Sequence, residues 1–443
     1  MTFQDLNLNK SLLNAIDDLG LVTPTAIQEK TFAPIMSGKD IVGIAQTGTG
    51  KTFAFLLPTL RMWKFDKSPL PTILIIVPTR ELVAQIVEET KKLCTYISFE
   101  VIGVYGGANL GKQQEAVMAG CDMVVGTPGR LLDLMLTGAF KTKKIKKLII
   151  DEVDEMLNLG FRTQLNGLLD FLPKRRQNLM FSATMPEDVQ EIVNNFSDYY
   201  DKIEAAPSGA PLENIEQYAY EVPNFNTKAN LLEVLLKEDE SMEKVLVFSS
   251  TKKLADVLFE TMEERFPEKA GVIHSSKSQN YRFNAVEAFQ KGDVRFLIAT
   301  DIIARGLDVS MVTHVINFDL SEKAENYIHR IGRTGRAEKK GVAISFVSEE
   351  EQPYKEAIEQ LMDMIIPIRF TPENLEVSTD LIELEIPVEF VPFNNHKVKQ
   401  HKPSGPAFHE KLEKNKKVNV RVDFQKEMQK KYKKQYRKGR NKT

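Results

Sequence analysis

The chain reads as two tandem α/β domains, each a parallel sheet flanked by helices, followed by a basic tail. Two observations carry this reading. Short apolar runs at 73–77, 101–105, 123–125, 148–150 and 179–181 alternate with stretches of helical spacing, and a second such series occupies 245–248, 271–273, 296–299, 315–318 and 343–347. Buried strands separated by helices imply parallel sheets covered on both faces. Between the series lies Ala205-Ala206-Pro207-Ser208-Gly209-Ala210-Pro211, the composition of a linker. The expected organisation is a first domain over 1–204, a linker over 205–214 and a second domain over 215–366, closed by a helix at 354–365. An irregular, Pro-punctuated extension follows over 367–395, then a basic tail over 396–443. A length of 443 residues agrees with more than one core.

Composition narrows the class. With 42% hydrophobic and 27% charged residues the chain is that of an ordinary globular protein. No apolar run approaches the twenty or so residues of a membrane helix, and the first residues lack a secretory pattern. Cys94 and Cys121 are the two cysteines, too few for a disulfide framework or a zinc site. They read as buried small hydrophobes in a reducing cytoplasm. The formal charge of −2 conceals a division: residues 396–443 carry 17 Lys and Arg against 4 Asp and Glu, while the remainder carries 42 against 57. A cationic tail of this kind is the footprint of a polyanion partner, or a solvated segment with no partner. Its few large apolar groups would not offset the entropy of ordering it, so disorder is expected beyond Asn394.

The chemistry resides in two short motifs. Ala45-Gln46-Thr47-Gly48-Thr49-Gly50-Lys51-Thr52 follows an apolar strand. A Gly-rich turn between strand and helix presents backbone N–H groups to phosphates, with a lysine for charge and a hydroxyl for magnesium. Asp151-Glu152-Val153-Asp154 ends another strand, where carboxylates can hold that magnesium and orient the attacking water. Together they make a nucleoside-triphosphatase site. Further motifs also fall at strand ends, where ligands gather in open parallel sheets. They are Pro78-Thr79-Arg80-Glu81-Leu82, Gly106-Gly107, Thr127-Pro128-Gly129-Arg130 and Ser182-Ala183-Thr184 in the first series. In the second they are Ser249-Ser250-Thr251, Thr300-Asp301 running on to Arg305-Gly306-Leu307-Asp308, and His329-Arg330-Ile331-Gly332-Arg333-Thr334-Gly335-Arg336. Three arginines and a histidine within eight residues would be costly unless they met anions.

In order and spacing these motifs resemble the DEAD-box ATP-dependent RNA helicases, bacterial type, from Phe3 to about Val347. The resemblance implies two RecA-like lobes with ATP and Mg²⁺ in the cleft and single-stranded RNA lying across both. It implies that Gln28 reads the adenine edge with Phe3 packing nearby. Thr47, Gly48, Thr49, Gly50, Lys51 and Thr52 would bind phosphates, and Thr52 and Asp151 the metal. Glu152 would be the water-orienting base, Asp308 the ribose contact, and Arg333 and Arg336 the arginine fingers. Asp154, Ser182, Thr184 and His329 would couple nucleotide state to lobe geometry. Arg80, Gly107, Thr127, Gly129, Arg130, Arg282 and Thr300 would contact the RNA backbone, largely without regard to sequence. The implied function is local unwinding or remodelling of RNA driven by RNA-dependent ATP hydrolysis, with the tail tethering structured RNA such as ribosomal precursors.

Three positions depart from the family pattern: Val153 for Ala, Leu21 for an aromatic residue, and Ala26 for Pro. The acidic groups are intact, so ATPase activity is expected to survive. Alternative readings are a DNA translocase on the same lobes, and a passive RNA clamp or annealing chaperone with a weak ATPase. His274 is assigned no role, and Gly106-Gly107 alone would read as a turn.

Overall fold

The computed structural model describes residues 1–46, 48–205, 214–301, 312–335 and 340–386. Among these, two parallel sheets form. The first contains β1 (Ile41–Ile44), β2 (Ile73–Ile76), β3 (Val101–Val104), β4 (Met123–Gly126), β5 (Lys147–Ile150), β6 (Gln177–Ser182) and β7 (Asp201–Glu204), in the order β3-β4-β2-β5-β6-β1-β7. The second contains β8 (Ile215–Glu221), β9 (Val245–Ser249), β10 (Ala270–Ile273), β11 (Phe296–Thr300), β12 (His314–Asn317) and β13 (Gly341–Val347), in the order β10-β11-β9-β12-β13-β8.

Side chains alternate across a strand, and the apolar runs therefore feed two cores per sheet. In the first sheet Ile73, Ile75, Val125, Ile149 and Phe181 face one core, while Leu74, Ile76, Val124, Ile150 and Met180 face the other. Helices α1 (Lys10–Asp18), α2 (Ala26–Met36), α3 (Lys51–Met62) and α4 (Arg80–Leu93) close the former. Helices α5 (Leu110–Ala119), α6 (Pro128–Leu136), α7 (Val153–Asn158), α8 (Arg162–Leu169) and α9 (Glu187–Phe196) close the latter. Gly43 on β1 is required by packing: a Cβ there would lie 2.6 Å from the Phe181 ring. In the second sheet Val245, Val247, Ile316 and Phe346 pack under α10 (Phe225–Glu238) and α11 (Lys252–Arg265). Leu246, Phe248 and Leu297 meet Phe289 of α12 (Gln279–Lys291) on the other face. The β8 and β13 end of that face is covered by α13 (Ala324–Ile331) and α14 (Gln352–Met362). Cys94 and Cys121 are both free and buried, and burial raises their thiols to about 12, which leaves them inert at neutral pH. No helix among the described residues is long and apolar enough to cross a membrane.

Residues 367–386 form neither helix nor regular strand, yet they are not loose. Pro367 and Arg369 flank Ala219 of β8 with parallel-bridge hydrogen bonds of 2.9 and 2.8 Å. The Arg369 guanidinium lies 3.5 Å from the centre of the Tyr218 ring. Farther on, Asn224, Asn226 and Asn230 at the start of α10 donate side-chain amides to the carbonyls of Ser378, Asp380 and Glu376, at 2.6, 2.8 and 2.9 Å. The extension is thus a strap whose backbone is satisfied by an asparagine ladder rather than by its own secondary structure. Its distal part and the tail, 387–443, lie outside the described residues.

Candidate active site and nucleic-acid face

Strand order places the motifs. The ends of β5, β6 and β1 are neighbours, and they carry Asp151-Glu152, Ser182-Ala183-Thr184 and the Gly-rich loop respectively. Adjacent strands lie about 4.8 Å apart, so the acidic pair and the loop face each other across about 10 Å with Ser182 between. The ends of β3, β4 and β2, the other half of the sheet, carry Gly106-Gly107, Thr127–Arg130 and Pro78–Glu81. One sheet edge therefore presents two separate faces.

In the loop, Gly48 and Gly50 both hold φ of 86°, a left-handed conformation that glycine adopts without strain. The Thr49 hydroxyl donates to the Gln46 carbonyl at 2.7 Å. Lys51 opens α3, is only 6% exposed, and its ammonium has no hydrogen-bond partner among the described residues. A buried lysine without an acceptor is a strong demand for an anion. Thr52 is half-buried on the same turn. Gln28 is bound to this loop: its Oε1 accepts from the Thr25 N–H at 3.0 Å and its Nε2 donates to the Gly50 carbonyl at 3.1 Å. Phe3 lies in the core with Ile27 and Phe32 of α2.

Asp151 and Glu152 are each 4% exposed. Glu152 is held at φ 53°, ψ 54°, a left-handed conformation rare for a side-chain-bearing residue and characteristic of functional turns. Its Oε2 has no hydrogen-bond partner among the described residues. Burial raises the Asp151 carboxyl to about 7; Lys51 opposes this and Glu152 reinforces it. Two adjacent buried carboxylates beside one lysine leave room for a further cation. Among the described residues no group of three or more His, Cys, Asp and Glu forms a metal cage. One or two carboxylates are the share of its shell that magnesium takes from protein, with phosphates and water supplying the rest, so the pair is chemically compatible with that ion. Val153 is fully buried among the aliphatic residues of the second core.

Linkage gives this pair a pH signature. A carboxyl raised in the folded state from its ordinary 3.8 to about 7 favours folding at low pH. That stability is lost as pH rises through the folded value. In the nucleotide-free chain, Asp151→Asn should raise the melting temperature at pH 8 and have little effect at pH 4. The expected gain at pH 8 is on the order of 2–4 kcal/mol, checked by thermal unfolding across that range.

Asp154 organises the loops around it. Its Oδ2 accepts from the N–H of Ala183 at 3.1 Å, the N–H of Thr184 at 2.9 Å and the Thr184 hydroxyl at 3.0 Å. Its own N–H donates to the Ser182 hydroxyl at 3.3 Å. His329 of α13 brings Nε2 to 3.8 Å from the same carboxylate, both side chains buried. Burial would raise the Asp154 carboxyl, but His329, Lys51 and the Thr184 bonds outweigh it and hold it below its ordinary value. The contact joins the two sheets' domains, as does Lys323 donating to Asn158 at 2.9 Å.

The Arg cluster divides. Arg330 is almost fully buried and binds inward: it forks onto both carboxylate oxygens of Asp301 and donates to the Asp319 carbonyl at 2.6 Å. Its anion is internal, a structural role the sequence pattern did not separate from ligand binding. Arg333, 3% exposed, donates through Nε to the His329 carbonyl at 3.4 Å. Thr47, Asp308 and Arg336 lie outside the described residues.

On the second face, Gly107 has φ 80°, and a Cβ there would lie 2.5 Å from Nη1 of Arg80, so glycine lets the guanidinium lie across the turn. Arg130 donates to Gln113 at 2.5 Å and to the Ala108 carbonyl at 3.0 Å. Thr127 caps α6 behind Gly129, which has open space around it, and Thr300 ends β11 buried. Arg80 donates to Gln279 of α12 at 3.0 Å, and Arg282 one turn on pairs with Glu81 at 2.9 Å. Gln279 and Glu81 were missed as partners in sequence; their signals were the Gln three residues before Arg282 and the Glu beside Arg80.

A phosphate-binding loop facing paired carboxylates, on the first of two RecA-like lobes, defines a helicase-type nucleoside triphosphatase. The DEAD/DEAH box helicase family model matches residues 25–192, and the helicase conserved C-terminal domain model matches 227–338. The chain is 39% identical over 363 residues to the DEAD-box ATP-dependent RNA helicase CshA of Bacillus subtilis (strain 168), covering 81% of this chain and 72% of that protein. Identity to the Streptococcus pneumoniae CshA is 41% over 364 residues, 82% and 68% of the two chains. Among solved structures, S. cerevisiae Dbp5 bound to RNA and ADP BeF3 aligns with a TM-score of 0.76 at 28% identity, over 83% of this chain and 95% of that one. Mss116p bound to ssRNA and AMP-PNP aligns with a TM-score of 0.77 at 28% identity, over 84% and 80%. The chain belongs to the DEAD-box ATP-dependent RNA helicases; it binds RNA and hydrolyses ATP in an RNA-dependent manner.

Proposed function

We propose that MgATP sits at the β5-β6-β1 end and that RNA crosses the β3-β4-β2 end and the facing ends of β9, β10 and β11. The observation that carries this is the buried Lys51 ammonium, without a hydrogen-bond partner among the described residues, opposite the buried Asp151-Glu152 pair. Loop N–H groups and Lys51 bind the phosphates, and Thr52 and Asp151 hold the magnesium. The metal, when bound, neutralises charge on the phosphates. Glu152 accepts a proton from the attacking water and aims its oxygen at the γ-phosphorus. Arg333 and Arg336 meet the charge that develops on the transferred group, Asp308 takes the ribose, and Thr47 completes the loop. Gln28 has one amide N–H and one lone pair beyond its present bonds, enough to read the adenine edge, with Phe3 bracing the helix behind it.

Arg80, Gly107, Thr127, Gly129, Arg130, Arg282 and Thr300 contact phosphates and sugars, so recognition is of RNA backbone rather than of sequence. Asp154 donates its N–H to Ser182 and accepts from Thr184 within its own lobe, and it meets His329 of the other, so lobe closure and nucleotide state are one equilibrium. Closure strains one RNA strand and separates a short duplex locally, without tracking along it. The lobes span 1–204 and 215–366. The tail tethers structured RNA, precursor ribosomal RNA being the substrate class in view, in the cytoplasm of a bacterium.

Steady-state ATP hydrolysis with no nucleic acid, with single-stranded RNA and with DNA of the same sequence tests the RNA path. Stimulation by RNA alone is expected; equal stimulation by DNA would overturn it. Truncation after Asn394 should flatten the log–log salt dependence of RNA binding by about two or more. An unchanged slope would remove the tail from the account.

A further inference from the structure

The N-terminal ends of β2, β5 and β6 are neighbours, at the end of the first sheet opposite the acidic pair and the Gly-rich loop. Since β5 runs from Lys147 to Ile150, this end stands about 15 Å from Asp151 along the strand. Three loops enter the sheet there: residues 64–72 before β2, 141–146 before β5 and 170–176 before β6. They hold nine Lys and Arg against Asp66 and Asp170, whereas residues 1–395 as a whole carry an excess of acids. The local sign is reversed.

The three loops are fastened to one another, so their charges share one surface. The Thr142 hydroxyl donates to the Phe171 carbonyl, and Lys144 pairs with Asp66 at 2.9 Å. The Lys146 N–H donates to the Thr72 carbonyl, and the Lys146 carbonyl accepts from the Gln177 N–H, both at 2.8 Å. The Lys144 bond, then the Ser68 N–H and the charges of Lys144 and Lys146, hold the Asp66 carboxyl below its ordinary value, so this acid is already occupied. Lys141, Lys143, Lys174 and Arg175 are exposed and make no side-chain hydrogen bond or ion pair among the described residues. Acids flank the patch and are engaged elsewhere. Asp122, before β4, accepts from the Glu100 N–H at 2.9 Å, and Asp40, before β1, accepts from Asn178 at 2.8 and 2.7 Å. Like charges held this close repel, and the fold keeps them far from the nucleotide end, which is the electrostatic footprint of a separate polyanion.

We propose that this end of the first lobe is a second RNA-binding surface, taking the phosphate backbone of RNA that lies outside the segment held across the two lobes. The chain binds RNA, and an RNA longer than that segment carries further phosphates past the lobe. This continuity selects RNA over an acidic protein as the occupant. Contacts to phosphates position the substrate without reading its sequence. Rigid loops meet them with little ordering cost. The surface carries a local reporter: Trp63, the one tryptophan of the chain, is half-buried beside Lys64, its ring 6.4 Å from that of Phe65, which is 69% exposed.

The test uses the full chain with a saturating non-hydrolysable ATP analogue and two fluorescent RNAs, read by anisotropy. One is a short single strand that fills the primary path only; the other is the same strand extended by a hairpin. The variant is Lys141→Gln/Lys143→Gln/Lys174→Gln/Arg175→Gln. Its affinity for the extended RNA should fall about 5- to 20-fold, and the log–log salt slope should flatten by about two or more. Affinity for the short strand, ATP turnover on it and the melting temperature should match the parent. In the parent, the extended RNA should change Trp63 emission and the short strand should not. Unchanged affinity and slope on the extended RNA would overturn the proposal. An equal loss on both RNAs would overturn it too, because the charges would then serve the primary path. Tighter binding of poly-L-glutamate than of the extended RNA, read by Trp63 emission, would remove RNA as the occupant and leave the patch to an acidic protein.

Discussion

Glu152→Gln should lower RNA-stimulated ATP turnover by about 10²- to 10⁴-fold, while the affinity for ATP stays within a few-fold. Gln preserves the volume and one acceptor oxygen but cannot take a proton. The carboxylate sits on a left-handed backbone at φ 53°, it is 4% exposed, and its Oε2 has no hydrogen-bond partner among the described residues. The same substitution removes a like charge from beside Asp151, whose carboxyl Glu152 helps to raise. The nucleotide-free variant should therefore melt no lower than the parent at neutral pH. Turnover is measured with saturating single-stranded RNA, and ATP affinity with a fluorescent analogue. Turnover within threefold of the parent would assign the proton elsewhere.

Asp154→Ala should both destabilise the first lobe and abolish stimulation by RNA. The carboxylate satisfies the N–H of Ala183, the N–H and hydroxyl of Thr184 and, through Oδ1, the N–H of Glu155. Removing it strands these buried donors, at a cost of about 3–5 kcal/mol. His329→Ala separates the two effects, because it deletes the cross-lobe contact at 3.8 Å and leaves the four bonds of the first lobe in place. That variant should melt near the parent temperature yet lose about tenfold or more of the RNA stimulation, within the usual range of coupling energies. The check is a melting curve beside ATP turnover with and without RNA. Full stimulation in His329→Ala would show that coupling does not pass through this pair.

Much of the architecture was legible because its physics is local. Strands such as Ile73–Ile76 and Val245–Ser249 are continuous apolar runs, which only sheets covered on both faces require. The strands β7 and β8 were not read. Asp201-Lys202-Ile203-Glu204 has one apolar residue and lies at the sheet edge, and the Tyr218-Ala219-Tyr220 core of β8 follows polar positions. The extension over 367–395 was read as irregular; its described part, 367–386, holds neither helix nor regular strand. Its order comes from the amides of Asn224, Asn226 and Asn230, and no periodicity in the strap itself reports a partner 150 residues away.

The candidate site was legible as motifs but not as geometry. Strand order, invisible in sequence, is what separates the β5-β6-β1 ends from the β3-β4-β2 ends of one sheet. The inward-facing Arg330 and Arg333 sit in one cationic run, three residues apart, and the run itself does not say which of them turns inward. Only the forked bond to Asp301 distinguishes them.

In the proposed function ATP and RNA share one closure equilibrium through contacts such as Asp154 with His329 and Arg282 with Glu81. The most direct test is the affinity for single-stranded RNA with and without a saturating non-hydrolysable ATP analogue, paired with the affinity for that analogue with and without RNA. By linkage the two factors must be equal, and the account predicts that both are tightenings of about fivefold or more. An RNA affinity indifferent to the nucleotide would contradict it.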